Sequence, residues 1–139
     1  MTTKRALLYV SRRFTFSAAH RYWRPEWSGE ENQRVFGTLV RVHGHNYTLE
    51  TTLRGPVDER TGVVMDLGEL KQVVDQSVLR RFDHADLNED AFFAAGTLPT
   101  TENLARAIWY LLSPKLGADR LWRVRVWEDP TFYVEYYGP

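Results

Sequence analysis

Three of the four histidines in this chain are spaced so that their side chains could meet at one metal ion. His43 and His45 stand two residues apart in a segment that favours an extended strand, and side chains two apart on a strand share a face. His20 ends an earlier alternating run and has the parity of its apolar residues, Phe14 and Phe16. Three neutral imidazoles with an open fourth position form a catalytic zinc site. The spacing therefore predicts zinc at His20, His43 and His45, although a single histidine taken alone is more often a core or surface residue.

Asp83 and His84 are a second candidate, because they are adjacent where a predicted helix ends. A carboxylate beside an imidazole can orient it and raise its basicity, which suits general acid–base catalysis. The pair could equally be an ordinary loop sequence, and on spacing alone that interpretation is favoured.

Glu128 is a third candidate, since it shares the parity of Trp122, Val124 and Val126 on a predicted strand. A carboxylate at the end of an apolar face needs a partner, and an amidine or guanidine nitrogen of a ligand would serve. A strand-end residue already in contact with solvent is the alternative.

Polar residues at the start of a later helix, and aromatic residues in an early loop, could contact a ligand ring. Thr100, Thr101 and Glu102 are typical of a helix N-cap, and capping alone would explain them. The aromatic residues could stack on a ring or pack at a subunit contact, and we favour packing. They are Tyr22, Trp23 and Trp27.

Two periodicities in the sequence predict the elements that position these residues. Alternation predicts strands over residues 7–19, 41–54, 121–128 and 132–137. Helical spacing predicts one helix from 66 to about 82 and another from about 100 until Pro114 and Gly117 end it. The stretches 21–36 and 83–99 read as long loops. This β-β-α-α-β-β order predicts one α+β domain over residues 1–139, with a four-stranded antiparallel sheet and two helices on one face.

Composition excludes several classes of function. Lys plus Arg and Asp plus Glu are both 18 in 139 residues, so the formal net charge is zero, which argues against a nucleic-acid partner. The chain has no cysteine and hence no disulfide, thiolate ligand or thiol nucleophile. Neither a signal-peptide core nor a run of about 20 apolar residues is present, so we expect a cytoplasmic protein without a membrane partner.

A set of short motifs runs in order along nearly the whole chain and resembles the 6-pyruvoyl-tetrahydropterin synthase family, which includes the 6-carboxy-tetrahydropterin synthases of queuosine biosynthesis. The motifs of the first half are Phe14-x-Phe16-Ser17-Ala18-Ala19-His20, Glu30-Glu31-Asn32, Phe36-Gly37 and His43-Gly44-His45-Asn46-Tyr47. Those of the second half are Met65-Asp66-Leu67-x-x-Leu70-Lys71, Phe82-Asp83-His84-x-x-Leu87-Asn88, Thr100-Thr101-Glu102-Asn103 and Val124-x-Val126-x-Glu128.

The resemblance implies a zinc-dependent lyase acting on 7,8-dihydroneopterin triphosphate, with a 6-pyruvoyl- or a 6-carboxy-tetrahydropterin as product. It implies a tunnelling fold, in which three subunits join their sheets into a barrel, two trimers stack into a homohexamer, and the active sites lie between subunits. It also implies roles for the candidate residues. His20, His43 and His45 would bind zinc, and Asp83 and His84 would transfer protons. The pterin ring would be bound by Glu128, Thr100, Thr101 and Glu102.

One position departs from the family pattern. The family usually carries a cysteine base after Phe-Gly, a few residues before the histidine pair, whereas Phe36-Gly37-Thr38 is followed here by Leu39. A leucine cannot accept a proton, so another group, for which His84 is the best candidate, must act alone, or the chemistry differs. Some members use a glutamate near this place and cleave the side chain as aldolases; Glu30 and Glu31 lie in the same loop but not at that position.

Three hypotheses of different classes follow. The first is a zinc-dependent pterin lyase. The second is a pterin-binding homologue whose activity is lost or aldolase-like because Leu39 replaces the cysteine. The third, an unrelated zinc hydrolase, is disfavoured by Glu128 and the 100–102 segment, which a generic hydrolase does not need.

Overall fold

A mixed five-stranded sheet organises the chain, with helices packed against one of its faces. The computed structural model describes residues 6–139. The strands are β1 (Leu8–His20), β2 (His43–Gly55), β3 (Ala85–Asp86), β4 (Leu121–Asp129) and β5 (Phe132–Tyr136). The helices are α1 (Gly29–Phe36), α2 (Leu67–Val74), α3 (Arg80–Phe82), α4 (Ala91–Ala94) and α5 (Thr101–Leu116). A π-helical turn, Asp75–Leu79, joins α2 to α3, and 3₁₀ turns occupy Gly37–Val40 and Leu87–Glu89.

The strand order is β3-β1-β2-β4-β5, and the four long strands are antiparallel to their neighbours. The two residues of β3 pair parallel to β1 at Ala18 and Ala19. The sheet is therefore mixed and five-stranded, where the sequence predicted four antiparallel strands. A two-residue strand is too short to produce a periodic pattern, which explains why alternation missed it.

The inner face of the sheet, which the helices cover, carries the apolar side chains that alternate along each strand. The buried side chains that meet there include Phe14, Phe16, Tyr47, Leu49, Leu70, Val74, Leu104, Ile108, Val124 and Val126. Full burial of one such side chain contributes roughly 1.5–3 kcal/mol to folding. The same alternation that builds this core places His20 at its end, fully buried.

Side-chain caps fix the starts of α2 and α5. The Asp66 carboxylate accepts from the Glu69 N–H at 2.9 Å, at the position where the predicted helix begins, and the Thr100 hydroxyl accepts from the Asn103 N–H at 3.2 Å, as the sequence predicted for α5. The α5 helix runs through Pro114 to Leu116 before Gly117 ends it, because proline in the last turn loses a single backbone hydrogen bond.

The stretch 21–36, read as a loop, contains the two-turn helix α1. Ser28 caps it, and Asn32 is fully buried and holds the preceding segment through bonds to both backbone groups of Arg24. The stretch 83–99, which was also predicted to be a loop, contains β3 and α4, so less of it is irregular than predicted. Within residues 6–139, no helix combines the length and apolarity that crossing a membrane requires.

Trp122 lies on the opposite face from the one predicted. The pairing of β2 with β4 contains a bulge, so that Leu121 pairs with Leu53 and the alternation shifts by one residue before Val124. The Trp122 ring then contacts Tyr9 on the outer face, with the ring centroids 5.3 Å apart.

Candidate metal centre

Antiparallel pairing of β1 with β2 brings the three predicted ligands together. His20 pairs directly with His43, and Ala18 pairs with His45, so the three imidazoles lie at one end of the inner face. The ring centroids of His20 are 4.5 Å from His43 and 5.0 Å from His45, and one ligand atom from each of the three residues lies within 4.8 Å of the others. This grouping could hold a metal ion, as the spacing predicted.

In two of the three imidazoles a hydrogen bond through Nδ1 leaves Nε2 free to bind a metal. His20 donates through Nδ1 to the Pro99 carbonyl at 2.7 Å, and His43 donates through Nδ1 to the Arg41 carbonyl at 2.8 Å. A backbone carbonyl on the second ring nitrogen is the usual outer support of a metal-bound histidine. The Nε2 atom of His20 is buried without a hydrogen-bond partner among the described residues, and a metal ion would satisfy it.

The charge state of His20 also suits a metal ligand. Burial is the main cause that lowers the pKa of His20; the hydrogen bond to Pro99 opposes it, and the neighbouring imidazoles of His43 and His45 lower the pKa further. A neutral ring with a free lone pair is the form that binds zinc. The donor set therefore fits a three-histidine zinc centre.

Glu128 projects into the same cluster from the end of β4. Its Oε1 atom lies 3.6 Å from Nε2 of His45 and 3.9 Å from Nε2 of His20, and accepts a hydrogen bond from the Thr101 hydroxyl at 3.1 Å. Its side chain is 19% exposed, so the carboxylate stays within reach of a ligand. Glu128 thus lies against the histidine cluster with most of its side chain buried.

The three residues at the start of α5 have different roles. The Thr100 hydroxyl caps the helix, Thr101 is buried and holds Glu128, and Glu102 is exposed in the first turn. Only Thr101 contacts a candidate ligand-binding group directly among the hydrogen bonds of this segment.

Asp83 and His84 lie at the sheet edge, beside Ser17 of β1. The Asp83 carboxylate accepts from the Ser17 N–H at 2.9 Å and lies 3.0 Å from Nδ1 of His84; the Ser17 N–H is the main cause that lowers the pKa of Asp83. His84 adopts a left-handed backbone conformation, with φ at 62°, and its side chain is 83% exposed. Within one protomer this pair is positioned as a unit but is not part of the three-histidine cluster.

Tyr22, for which the sequence favoured packing, packs against both Phe36 and His20 and so lies beside the histidine cluster. Its ring meets His20 edge-on, with centroids 5.2 Å apart, and lies 6.5 Å from His43. Burial raises the pKa of Tyr22 to about 12, with further contributions from Glu128 and Glu102. The signal that could have identified it is its parity, because Tyr22 follows His20 by two residues. Trp27, by contrast, packs on Phe36, with stacked rings 5.7 Å apart.

Leu39 lies in the 3₁₀ turn before β2 and is 40% exposed. Its carbonyl accepts a hydrogen bond from the Tyr22 N–H at 2.9 Å, so the turn is joined directly to the site. A cavity of about 690 Å³ lies at the opposite end of β2, around Gly55 and Val64, far along the strand from the histidines. The chemistry of the residues, and not cavity size, therefore selects the site.

Comparisons with known proteins agree with this geometry. A family model described as 6-pyruvoyl tetrahydropterin synthase matches residues 9–139. A 6-pyruvoyl tetrahydrobiopterin synthase of Drosophila melanogaster is 41% identical over 140 residues, covering 99% of this chain and 83% of that protein. A putative 6-carboxy-5,6,7,8-tetrahydropterin synthase of Archaeoglobus fulgidus is 39% identical over 95 residues, covering 68% of this chain and 75% of that protein. The 6-pyruvoyl tetrahydropterin synthase structure from Caenorhabditis elegans superposes with a TM-score of 0.91 at 33% identity, covering 99% of this chain and all of that one.

Proposed function

The chain belongs to the 6-pyruvoyl tetrahydropterin synthase family, and from that premise we propose that it is a zinc-dependent lyase acting on 7,8-dihydroneopterin triphosphate. The observation that carries the proposal is the three-imidazole cluster, in which Nε2 of His20 is buried and has no hydrogen-bond partner within residues 6–139. The adjacent Glu128 carboxylate adds an acceptor suited to a pterin ring.

We further propose that the product is the 6-pyruvoyl compound. The Drosophila relative with that name is 41% identical over 99% of this chain, whereas the two relatives named as 6-carboxy enzymes are 39% identical over 68% of it and 25% identical over 91% of it. The two products differ in mass and in the release of a two-carbon fragment, so one experiment separates them.

The roles of the residues follow from their chemistry. A zinc ion held by His20, His43 and His45 would supply Lewis acidity to the hydroxyls of the substrate side chain. Glu128, steadied by the Thr101 hydroxyl, would accept from the 2-amino group and N3–H of the ring through both carboxylate oxygens.

Proton transfer is assigned to Asp83 and His84. The carboxylate 3.0 Å from Nδ1 orients the imidazole and leaves Nε2 as the proton-accepting atom. Because His84 is exposed at the sheet edge, we propose that it serves the site of a neighbouring subunit. The chain contains no thiol that could share this task, and Leu39 occupies the place where the resemblance puts the cysteine.

Incubation of zinc-loaded protein with 7,8-dihydroneopterin triphosphate, followed by mass analysis, tests the proposal. We expect release of triphosphate and formation of 6-pyruvoyl-tetrahydropterin, and no reaction in protein stripped of zinc. Trapped acetaldehyde together with a carboxylated pterin would identify the 6-carboxy reaction instead. Unchanged substrate after long incubation would contradict the lyase assignment.

The variant Leu39→Cys tests how much the missing thiol limits the rate. If it does limit turnover, the new thiol should raise the rate by about 10²–10⁴-fold, the usual contribution of a positioned base. If His84 has taken over the task, Leu39→Cys should leave the rate unchanged and His84→Ala should abolish it.

A further inference from the structure

We propose that a cavity beside the metal centre, between residues 21–26 and 88–99, is a subsite for a phosphate chain, and that Arg21 and Arg24 hold this chain. The inference rests on the proposed function for the two sources of such a ligand, which are the triphosphate group of the substrate and the free triphosphate that the same reaction releases. It assigns a role to two arginines that neither the metal centre nor the anchoring of the ring uses.

The cavity adjoins the three-histidine cluster. Its volume is about 310 Å³, which lies within the roughly 300–1,000 Å³ of small-ligand pockets. Arg21, which directly follows the ligand His20, is part of its lining, and so is Pro99, whose carbonyl accepts from Nδ1 of His20 at 2.7 Å. In neopterin triphosphate the phosphates extend from the same side chain whose hydroxyls would lie at the metal. The phosphate chain must therefore occupy space next to these histidines.

Arg21 has a charge and a buried donor that the described chain leaves uncompensated. Within residues 6–139 its Nε atom is buried without a hydrogen-bond partner, and no carboxylate forms an ion pair with it. Its guanidinium carbon lies 4.6 Å from the centroid of the Trp23 ring, and both residues line the cavity. Since a buried donor without an acceptor is costly, an oxygen atom of a bound anion would stabilise this arrangement.

Arg24 is the second cation of the cavity, and it is only weakly paired. Its Nη1 atom lies 3.3 Å from the Gly96 carbonyl and 3.7 Å from the carboxylate of Glu26, whose side chain is 61% exposed. An ion pair this exposed contributes little, so Arg24 remains able to bind an anion. The charged residues of the lining are thus two arginines and one glutamate, in a chain whose formal net charge is zero.

The backbones of both arginines are held by the same device, an asparagine side chain that bonds to both backbone groups. The Arg21 N–H donates to Oδ1 of Asn88 at 2.8 Å, and Nδ2 of Asn88 donates to the Arg21 carbonyl at 3.0 Å. Asn32 forms the same pair of bonds with Arg24, at 2.7 and 2.9 Å. Because both backbone positions are fixed before a ligand arrives, binding costs less conformational entropy. A planar guanidinium can then bind phosphate oxygens through two N–H groups at once.

The test measures three ligands on zinc-loaded wild type, Arg21→Gln and Arg24→Gln. Neopterin triphosphate carries the oxidised ring, so its binding is measured without turnover; neopterin lacks the phosphates, and inorganic tripolyphosphate lacks the pterin. Each variant should raise the Kd of neopterin triphosphate by about 10–100-fold, the effect of losing a hydrogen bond to a charged group. The Kd of neopterin should stay within about twofold. Calorimetry at constant ionic strength gives these values, because salt screens contacts between charges.

Tripolyphosphate identifies the source of the phosphate chain. If the cavity holds the triphosphate group of the substrate, both arginine variants weaken both phosphate ligands, and tripolyphosphate displaces neopterin triphosphate. If the cavity holds free triphosphate, the variants weaken tripolyphosphate alone, and the two ligands bind at the same time. Arg21→Lys keeps the charge without the planar guanidinium and should recover part of the lost affinity in either case.

Arg60→Gln is the matched control, since Arg60 is exposed in a turn beyond the far end of β2 and should not affect any of the three ligands. Metal analysis checks that each variant retains zinc. Unchanged affinity for both phosphate ligands in Arg21→Gln and Arg24→Gln would overturn the inference and leave the pterin site intact. An equal loss for neopterin and neopterin triphosphate would assign the arginines to the shape of the site and overturn it as well. Wild type that binds neither pterin would refute the proposed function itself.

Discussion

At the scale of single residues, the choice of ring nitrogen decides what the histidines can do. The carbonyls of Pro99 and Arg41 take the Nδ1–H groups of His20 and His43, which leaves Nε2 of each ring with its lone pair. In both rings a backbone carbonyl therefore fixes the tautomer that can bind a metal. A histidine without such a fixed tautomer would bind a metal less strongly.

His43→Ala and His45→Ala should each lose bound zinc, because two imidazoles cannot complete the site. We expect affinity to fall by at least the 10–100-fold typical of changes in the outer support of a metal ligand. Metal analysis after dialysis against a weak chelator measures this. His84→Ala, which alters an exposed imidazole outside the cluster, is the control and should retain zinc. Full zinc retention in both ligand variants would refute the site.

Glu128→Gln should weaken binding of pterin while leaving the zinc content unchanged. The amide keeps the size of the side chain but loses the charge and one acceptor, a change worth roughly 1.5–3 kcal/mol for a charge-assisted bond. Calorimetry with pterin gives the affinity, and Glu59→Gln, an exposed turn residue, is the control.

Two other results would change the role of Glu128. Unchanged pterin affinity would remove it from ring binding. Loss of zinc together with retained pterin affinity would make Glu128 a fourth metal ligand, which its distances of 3.6 and 3.9 Å to the two Nε2 atoms make a meaningful alternative.

Among the secondary-structure elements, the start of α5 has two roles: Thr100 caps the helix and Thr101 holds Glu128. One variant at each residue separates these roles. Thr100→Ala removes the cap and should lower the free energy of unfolding by about 0.5–2 kcal/mol, with little effect on pterin binding. Thr101→Val removes the hydrogen bond to Glu128 and should weaken pterin binding. Denaturant unfolding and calorimetry on both proteins measure the two effects. Equal loss of pterin affinity in Thr100→Ala would show that Thr100 itself contacts the ring.

The long strands and the two main helices could be predicted because each buries one face. Period-two alternation in β1 and β2 fixed which histidines point inward, and antiparallel pairing then had to bring them to one end. The signal for α1 was also present, since Ser28-Gly29-Glu30-Glu31 has the spacing of a capping box, but the segment has too few apolar residues to show helical periodicity.

Other features depend on contacts that a sequence pattern does not contain. The bulge beside Leu53 turns Trp122 outward because the register of two strands shifts, and alternation within one strand cannot reveal that. The π-helical turn between α2 and α3 changes the phase of a helix in the same way. Tyr22 lies past the end of β1, where only its spacing of two residues from His20 indicates that its ring faces the histidines. These elements were missed for one physical reason, namely that tertiary packing sets their geometry.

At the scale of the whole molecule, the sheet has edges that one protomer leaves open. Only Ala18 and Ala19 of β1 pair with β3, and within the described residues no strand pairs with the outer edge of β5. Exposed apolar side chains stand on β1, most of whose length β3 leaves uncovered, and on β5; among them are Leu8 and Tyr9 on β1 and Tyr133 on β5. Long exposed edges of this kind tend to pair with another chain. They support the proposal that copies of the chain join their sheets into a trimeric barrel and a hexamer.

The position of His84 predicts which subunit completes each site. His84 is exposed beside β1, outside the three-histidine cluster of its own protomer. If it is catalytic, it must therefore act at the metal centre of a neighbouring copy. Two inactive variants should then complement each other. His43→Ala lacks a metal ligand but offers an intact His84, and His84→Ala offers the reverse.

Co-expression of the two variants with different tags, and purification through both tags, gives mixed assemblies. In a ring with head-to-tail contacts and random mixing, about one quarter of the sites receive His43 from one subunit and His84 from the next, so activity should return to about a quarter of the wild-type rate. Either variant alone, assembled with itself, should remain inactive and serves as the control. If both groups act within one subunit, every site in the mixture lacks one of them and no activity returns. Light scattering on the wild type gives the size of the assembly, and a monomer at micromolar concentration would rule out the shared site.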